Sequence, residues 1–496
     1  MKRFFSNALP ALFVGACLRL FFALKFPSSS GDTVLYDQLA RNWLKFGKLA
    51  MDIAGQPTPV DLRMPGYPAF LAVVYAVTRR TGDSARLPVM LAQIFVDLAT
   101  CVVVAFLALL LARLAGQAAK ADRAFAAAIW LATLCPFTAN YVAVSLTEVW
   151  AIFLTAVSLV ILVLFAAEAC RIPVPMLAGR QLTRGDTWKL GVLGGFVVGL
   201  GTLFRPEAPL LLVTTFAVIG HWMARRNDTQ RWVKLCAITS MGCGLALLPW
   251  ILRNAVTLHE FQPLAPKDAT LASEVDPKGF LAWEKTWLYR MRHAYLVTWK
   301  LNDQEIEMDD IPAYAFDTDD ERHRVSMVLE RYNDDLTWTT EEDAMFAQLA
   351  RERTARHPLR TYLWIPLKRS VVMWFTPRIE LLPVSGHVFP LAYQAEEDPV
   401  DQRVTILFFL LNIAYLGLAA RGSWNLWRCR RAHVAIAVLL IYIAVRTAFL
   451  TTMETPEPRY VLVCFPALIA LAAQAAWRAE ETKKPEPAPA PAPLSG

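Results

Sequence analysis

Charge is scarce in this chain. Asp, Glu, Lys and Arg make up 19% of its 496 residues while 55% are hydrophobic, a ratio that excludes an ordinary soluble protein of this length. Cysteine is missing where it would build an extracellular framework: the long hydrophilic stretches 27–86 and 254–403 contain none, which excludes disulfides and Cys-ligated metal there. Both stretches also lack any Asn-x-Ser/Thr sequon. Internal repeats of the inverted kind used by many transporters are absent. The first apolar run has a basic start but no small-x-small cleavage site beyond Phe26, and Arg19 interrupts its centre, so it reads as a signal anchor and not as a cleaved leader.

What the chain has instead is about ten apolar runs near the length of ~20 residues that crosses a bilayer. They are Ala8–Phe26, Leu87–Ala112, Phe125–Phe137, Leu146–Ala167, Leu190–Phe204, Pro206–Trp222, Val233–Leu252, Val404–Leu418, Val434–Leu450 and Tyr460–Trp477. Every second short connection is basic, from Lys2 and Arg3 through Arg113, Lys120 and Arg123 to Arg428, Arg430 and Arg431. Cytoplasmic loops retain positive charge, so both termini are expected in the cytoplasm and the long loops outside. The net charge of +7 is thereby orientation charge, and no nucleic-acid partner follows from it.

The expected fold is an all-α polytopic membrane protein with about ten transmembrane helices. Residues 1–253 form a transmembrane core that includes a first outer loop, 27–86. Here Leu35, Leu39, Trp43 and Phe46 recur at helical spacing behind a cap at Asp32 or Thr33, and Tyr67 to Thr78 follows the Pro65-Gly66 turn; both read as interfacial helices. Residues 254–403 read as a small, mainly helical outer domain, acid-rich from Asp303 to Asp343 and interfacial from Arg356 to Phe375. Further transmembrane helices fill 404–477, and 478–496 is a Pro- and Ala-rich disordered tail.

Four arginines stand at the outer ends of spans, against the orientation bias: Arg63, Arg205, Arg253 and Arg459. Each lies beside a proline or an aromatic that fixes the backbone, as in Arg205-Pro206-Glu207 and Pro458-Arg459-Tyr460. A planar guanidinium donates two hydrogen bonds to phosphate oxygens, so a group of them at one membrane face suits a phosphate. Taken singly, each arginine could equally snorkel from a helix end. Asp32 and Glu148 belong to the same face, where a carboxylate can take a proton from a hydroxyl or hold a divalent cation; each could also merely cap its helix. Arg19 and Asp97 lie inside spans at similar depth and are expected to pair as a structural couple.

Gly31-Asp32 with Tyr36 and Leu39-Ala40, Arg63 with Pro65-Gly66-Tyr67-Pro68, Leu146-Thr147-Glu148, Gly199-Leu200 before Arg205-Pro206, Pro249-Trp250 with Arg253-Asn254, and Arg459-Tyr460 before Pro466 follow one another along nearly the whole chain. In that order they resemble the GT-C superfamily of integral-membrane glycosyltransferases, and within it the bacterial aminoarabinose lipid A transferases and protein O-mannosyltransferases. The aminoarabinose type carries Lys-Pro-Pro where this chain has Arg63-Met64-Pro65. The resemblance implies a bacterial inner-membrane enzyme that takes sugar from a polyprenyl-phosphate donor and passes it, with inversion, to a lipid, glycan or protein acceptor outside the cytoplasm. It implies Asp32 as the first-loop catalytic acid, Arg63 as the basic residue toward the donor phosphate and Glu148 as a second acid able to hold Mg or Mn. The mechanism expected from these residues is a single displacement with Asp32 as base, Arg63, Arg205, Arg253 and Arg459 stabilising the leaving lipid phosphate, and Tyr36, Tyr67 and Tyr460 lining the substrate. A transporter or flippase of a lipid-linked or anionic substrate is the alternative; it would place more polar groups at mid-membrane.

Overall fold

The computed structural model describes residues 2–173, 186–266, 275–384, 388 and 398–478. Beyond residue 478, the expected disordered tail lies outside them. The protein is an all-α polytopic membrane protein. Among the described residues, seven helices are long and apolar enough to cross a bilayer, namely Ala8–Lys25, Gly82–Leu114, Glu148–Ala169, Thr229–Thr257, Pro399–Trp427, Arg430–Leu450 and Pro458–Ala476. A bent pair, Ala118–Thr133 meeting Pro136–Ala143 at 48°, is apolar enough to make an eighth if the two form one span. The runs read at 190–204 and 206–222 fold as the shorter helices Thr187–Thr202 and Leu210–Ala224. At roughly 1.5 Å per residue neither reaches across a ~30 Å core.

In chain order, α1 (Lys2–Lys25) leads to the first long loop, which holds α2 (Gly31–Phe46), a hairpin of β1 (Ala50–Ile53) and β2 (Gln56–Pro59), and α3 (Gly66–Thr78). Then come α4 (Arg86–Leu114), α5 (Ala121–Thr133), α6 (Pro136–Ala139), α7 (Glu148–Ala169), α8 (Thr187–Thr202), α9 (Leu210–Ala224) and α10 (Thr229–Thr257). Small residues let α8 and α10 touch backbone to backbone. A Cβ on Gly195 would lie 1.9 Å from the Thr239 carbonyl oxygen, which no real side chain tolerates.

The bend between α5 and α6 explains the charged pair inside the membrane. Pro136 has no N–H to give to the carbonyl of Ala132, four residues back, and so the end of α5 is left short of donors. Arg19, fully buried on α1, supplies them: its guanidinium donates to Thr133 O at 2.8 Å and Ala132 O at 3.4 Å. Its charge is met by Asp97 of α4, also buried, at 2.5 Å. One ion pair thus holds three helices.

After α10 the chain folds α11 (Lys278–Glu284), α12 (Met291–Leu296), α13 (Asp319–Asp335) and α14 (Thr340–Arg356) around an apolar core of its own, with Phe280, Trp283, Trp287, Val325, Tyr332 and Phe346 buried. The acids crowded between 303 and 343 serve this fold. Asp317 and Glu321 hold Arg353, Arg356 and Arg360, and Asp343 accepts from the amides of Gly279 and Phe280 at the start of α11. The stretch expected at the interface becomes α15 (Ile365–Trp374), reached through a wide turn at Arg360–Trp364 whose Tyr362, Leu363 and Trp364 are exposed. Two long helices, α16 (Pro399–Trp427) and α17 (His433–Leu450), and the short α18 (Phe465–Ala472) complete the bundle. Arg369 of α15 is buried and donates to the carbonyls of Leu288 and Thr451, which ties the small domain to the end of α17.

Candidate active site

The residues of the site are brought in by four helix ends and one loop. Ser30, in extended conformation, is the N-cap of α2, and its amide donates to Thr33 Oγ1 at 3.2 Å. The cap expected at Asp32 or Thr33 therefore falls on Ser30. Asp32 sits in the first turn of the helix, where the helix dipole favours a carboxylate and the side chain is free to face across the loop. Arg63 approaches it on the segment before α3. That segment is clasped to the end of α8 by Gly66 N, which donates to Leu203 O at 2.7 Å; a Cβ on Gly66 would stand 2.6 Å from the same oxygen. Only glycine permits this approach, and it brings Arg63 to the cavity that Arg205, two residues after Leu203, also lines. Glu148 opens α7, and Arg459 lies in the turn Pro458–Cys464 that follows α17.

These groups line one cavity of ≈ 900 Å³. Arg63 Nη2 donates to Asp32 Oδ1 at 2.9 Å, Arg459 Nη2 lies 3.6 Å from Asp32 Oδ2, and Arg459 Nε lies 3.8 Å from Glu148 Oε1. Arg205 Nη2 donates to the same Glu148 oxygen at 2.5 Å. Glu148 is 1% exposed, and its other oxygen, Oε2, has no hydrogen-bond partner among the described residues. The Tyr460 ring lies between two guanidinium groups, 5.0 Å from that of Arg205 and 5.4 Å from that of Arg459, and its hydroxyl donates to Glu457 Oε1 at 2.5 Å. Glu457 also accepts directly from Arg459.

Electrostatics keep Asp32 ready as a base. Burial alone would raise its carboxyl, but Arg63, with Arg459 and Arg205 behind it, outweighs burial and holds the group below the usual carboxylate range. Tyr36, one turn on in α2, is pushed up to about 12 by burial and by the neighbouring Asp32, so at neutral pH it is a hydroxyl donor. Away from the charges the cavity wall is apolar, made of Leu210, Val213, Phe449, Leu450 and Met453 from α9, α17 and the turn after it. An amphiphile with an anionic head fits such a space.

The structure does not gather every residue singled out in the sequence. Arg253 is turned away from the cavity: it donates to Leu49 O at 2.8 Å and to Asn254 Oδ1, with its guanidinium 5.3 Å from the Trp250 ring. The position thus ties the end of α10 to the residue before β1. Tyr67 is fully buried beneath Tyr36, ring centroids 5.1 Å apart, and donates to Gln93 Oε1, so it supports the wall and does not line it. Other residues were missed. Glu207 lines the cavity and accepts from Arg446 of α17 at 2.9 Å, Glu457 braces Arg459, and Lys285 reaches in from the small domain while paired with Glu454 at 2.7 Å. Arg446 could have been found as Arg19 was, being an ion inside an apolar run. Lys285 carries no such signal.

No family model matches the chain, and no curated protein matches it. Among solved structures, the archaeal oligosaccharyltransferase AglB of Archaeoglobus fulgidus, in complex with an inhibitory peptide and a dolichol-phosphate, matches at 13% identity with a TM-score of 0.48, over 95% of this chain and 50% of that one. The oligosaccharyltransferase of the same organism tethered to an acceptor peptide matches at 12% identity and 0.48, over 95% and 49%. This chain therefore spans about half the length of those structures.

Proposed function

We propose that the protein is a membrane glycosyltransferase of the GT-C kind, which moves a sugar from a polyprenyl-phosphate-linked donor to a lipid, glycan or protein acceptor on the extracytoplasmic face. The observation that carries the reading is the single cavity in which Asp32 faces Arg63, Arg205 and Arg459 while the opposite wall is apolar. A lipid phosphate needs both halves. The sequence resemblance supports the same reading, and with it placement in a bacterial inner membrane with both termini cytoplasmic.

The reaction is a single displacement. An acceptor hydroxyl or amine attacks the sugar's anomeric carbon, the bond from that carbon to the phosphate oxygen breaks, and its electron pair leaves on the phosphate, which inverts the centre. Asp32 takes the proton the acceptor loses, and Arg63 and Arg205 neutralise the charge that grows on the leaving group. Arg63 is held by Asp32 and Arg205 by Glu148, so an arriving phosphate meets guanidinium groups already aimed. The small domain would cover the site through Lys285 and help select the acceptor.

Transfer of radiolabelled sugar from a panel of polyprenyl-phosphate donors, in detergent, tests the reading. Labelled product should form with at least one donor. Donor binding without any transfer, together with movement of labelled lipid across proteoliposomes, would replace it with the transporter reading.

The depressed Asp32 carboxyl makes a prediction about pH. The base works only when ionised, so wild-type activity should persist at pH values below the ordinary carboxylate range and fall only as Asp32 finally protonates. Arg63→Gln removes the largest stabilising charge, which raises the Asp32 pKa and lowers the ionised fraction at any given acid pH. The acid limb of the pH–rate profile should move to higher pH. An unmoved limb in an active, folded variant would mean that Asp32 is not the group that titrates.

A further inference from the structure

We infer that the guanidinium of Arg459 is the resident cation of this site, filling the position that a divalent metal would take between Asp32, Glu148 and Glu457, so that the chain performs its chemistry without one. The catalytic half of this inference rests on the transferase reading above; the binding half does not.

Three carboxylates converge on Arg459. Asp32 and Glu148 come from the starts of two helices, α2 and α7, and Glu457 comes from the turn that carries Arg459 itself. The guanidinium touches Glu457 directly and lies 3.6 Å from Asp32 and 3.8 Å from Glu148. Three like charges this close, in a partly dehydrated space, require a cation in their midst. The residues present do not fit a metal in that role. Mg²⁺ needs oxygen ligands at about 2.0–2.1 Å in a near-octahedral shell. Here the planar guanidinium occupies the volume where such a shell would form, and both Asp32 oxygens already face arginines, Oδ1 that of Arg63 and Oδ2 that of Arg459. With Arg459 between them the three carboxylates stand too far apart to share an ion, and among the described residues no group of three His, Cys, Asp or Glu side chains is placed to hold one.

Arg459 is also fixed more firmly than a surface side chain. Pro456 and Pro458 restrict the backbone on both sides of Glu457, the Tyr460 ring lies against the guanidinium, and the side chain is 17% exposed. A tethered, permanently charged group needs no binding equilibrium and cannot be removed by a chelator. It gives Glu148 a purpose as well: that carboxylate bonds Arg205 through Oε1 and faces Arg459 with the same atom, so it spaces the two guanidinium groups across the phosphate position.

The test is Mn²⁺ binding to the purified full-length protein in detergent, followed by electron paramagnetic resonance, alongside transfer assays with and without EDTA. Wild type should show no saturable site, and EDTA should leave its rate unchanged. Arg459→Ala exposes the three carboxylates and should acquire one saturable Mn²⁺ site per chain, lost again in Arg459→Ala/Glu148→Gln; Arg459→Lys keeps a cation and should acquire none. A wild-type site that disappears in Glu148→Gln, or EDTA inhibition reversed by Mn²⁺ or Mg²⁺, would overturn the inference and leave the transferase reading intact. So would a folded, monodisperse Arg459→Ala that binds no Mn²⁺. The wild-type measurements require no variant to fold. If no donor supports transfer, the functional reading fails while the binding comparison still decides the role of Arg459.

Discussion

Asp32→Asn should leave donor binding intact and lower sugar transfer about 10²–10⁴-fold, the range a positioned general base contributes. The substitution keeps the size of the side chain and one oxygen for the Arg63 hydrogen bond, and α2 does not depend on it because Ser30 is the cap. What it removes is the proton acceptor. Initial-rate measurement with a saturating donor, paired with a separate donor-binding titration, distinguishes the outcomes. An unchanged rate would reduce Asp32 to a salt-bridge partner of Arg63. Loss of both binding and rate would show that the carboxylate chiefly orders the arginines.

The largest effect on stability is expected at the pair that serves the broken helix. Asp97→Leu leaves a fully buried Arg19 with hydrogen bonds to carbonyls but no counter-ion, at a cost of about 3–5 kcal/mol. Removing both charges, in Arg19→Leu/Asp97→Leu, should be the milder change, since no ion then remains buried. It should still be less stable than wild type, because the carbonyls of Ala132 and Thr133 lose the donors that Arg19 supplies at the break before Pro136. Thermal unfolding in detergent, read by tryptophan fluorescence, orders the three proteins. A single variant as stable as the double would mean that Arg19 finds water or another acid when Asp97 is gone.

Much of the architecture was legible because the bilayer imposes a length. Apolar runs such as 87–112 and 434–450 became membrane-length helices since a helix satisfies every backbone hydrogen bond within a single run. The break at Pro136 and the shortness of Thr187–Thr202 were harder to foresee, because both depend on how neighbouring helices supply donors and close contacts. In the site, charges stood out where they violated the orientation bias, which is how Arg63, Arg205 and Arg459 came to notice. The same rule also picked Arg253, whose partners Leu49 and Trp250 are a matter of tertiary packing. Lys285 was invisible for the opposite reason: a lysine in a soluble, charge-rich domain breaks no rule until the fold carries it to the cavity. Glu457 lay within sight, between two prolines and next to a chosen arginine, yet a carboxylate beside an arginine in sequence usually faces water.

The small domain closes on its own core of Phe280, Trp283, Trp287 and Phe346, and it joins the bundle through few side chains, chiefly Arg369 and Lys285. A part built this way is transferable. Its interior can be rewritten, or the whole unit replaced by one of another shape, without repacking a single membrane helix or moving Asp32 relative to Arg205. On the transferase reading proposed above, the recipient of the sugar and the handling of its lipid carrier could then change independently, as interchangeable heads on a common handle.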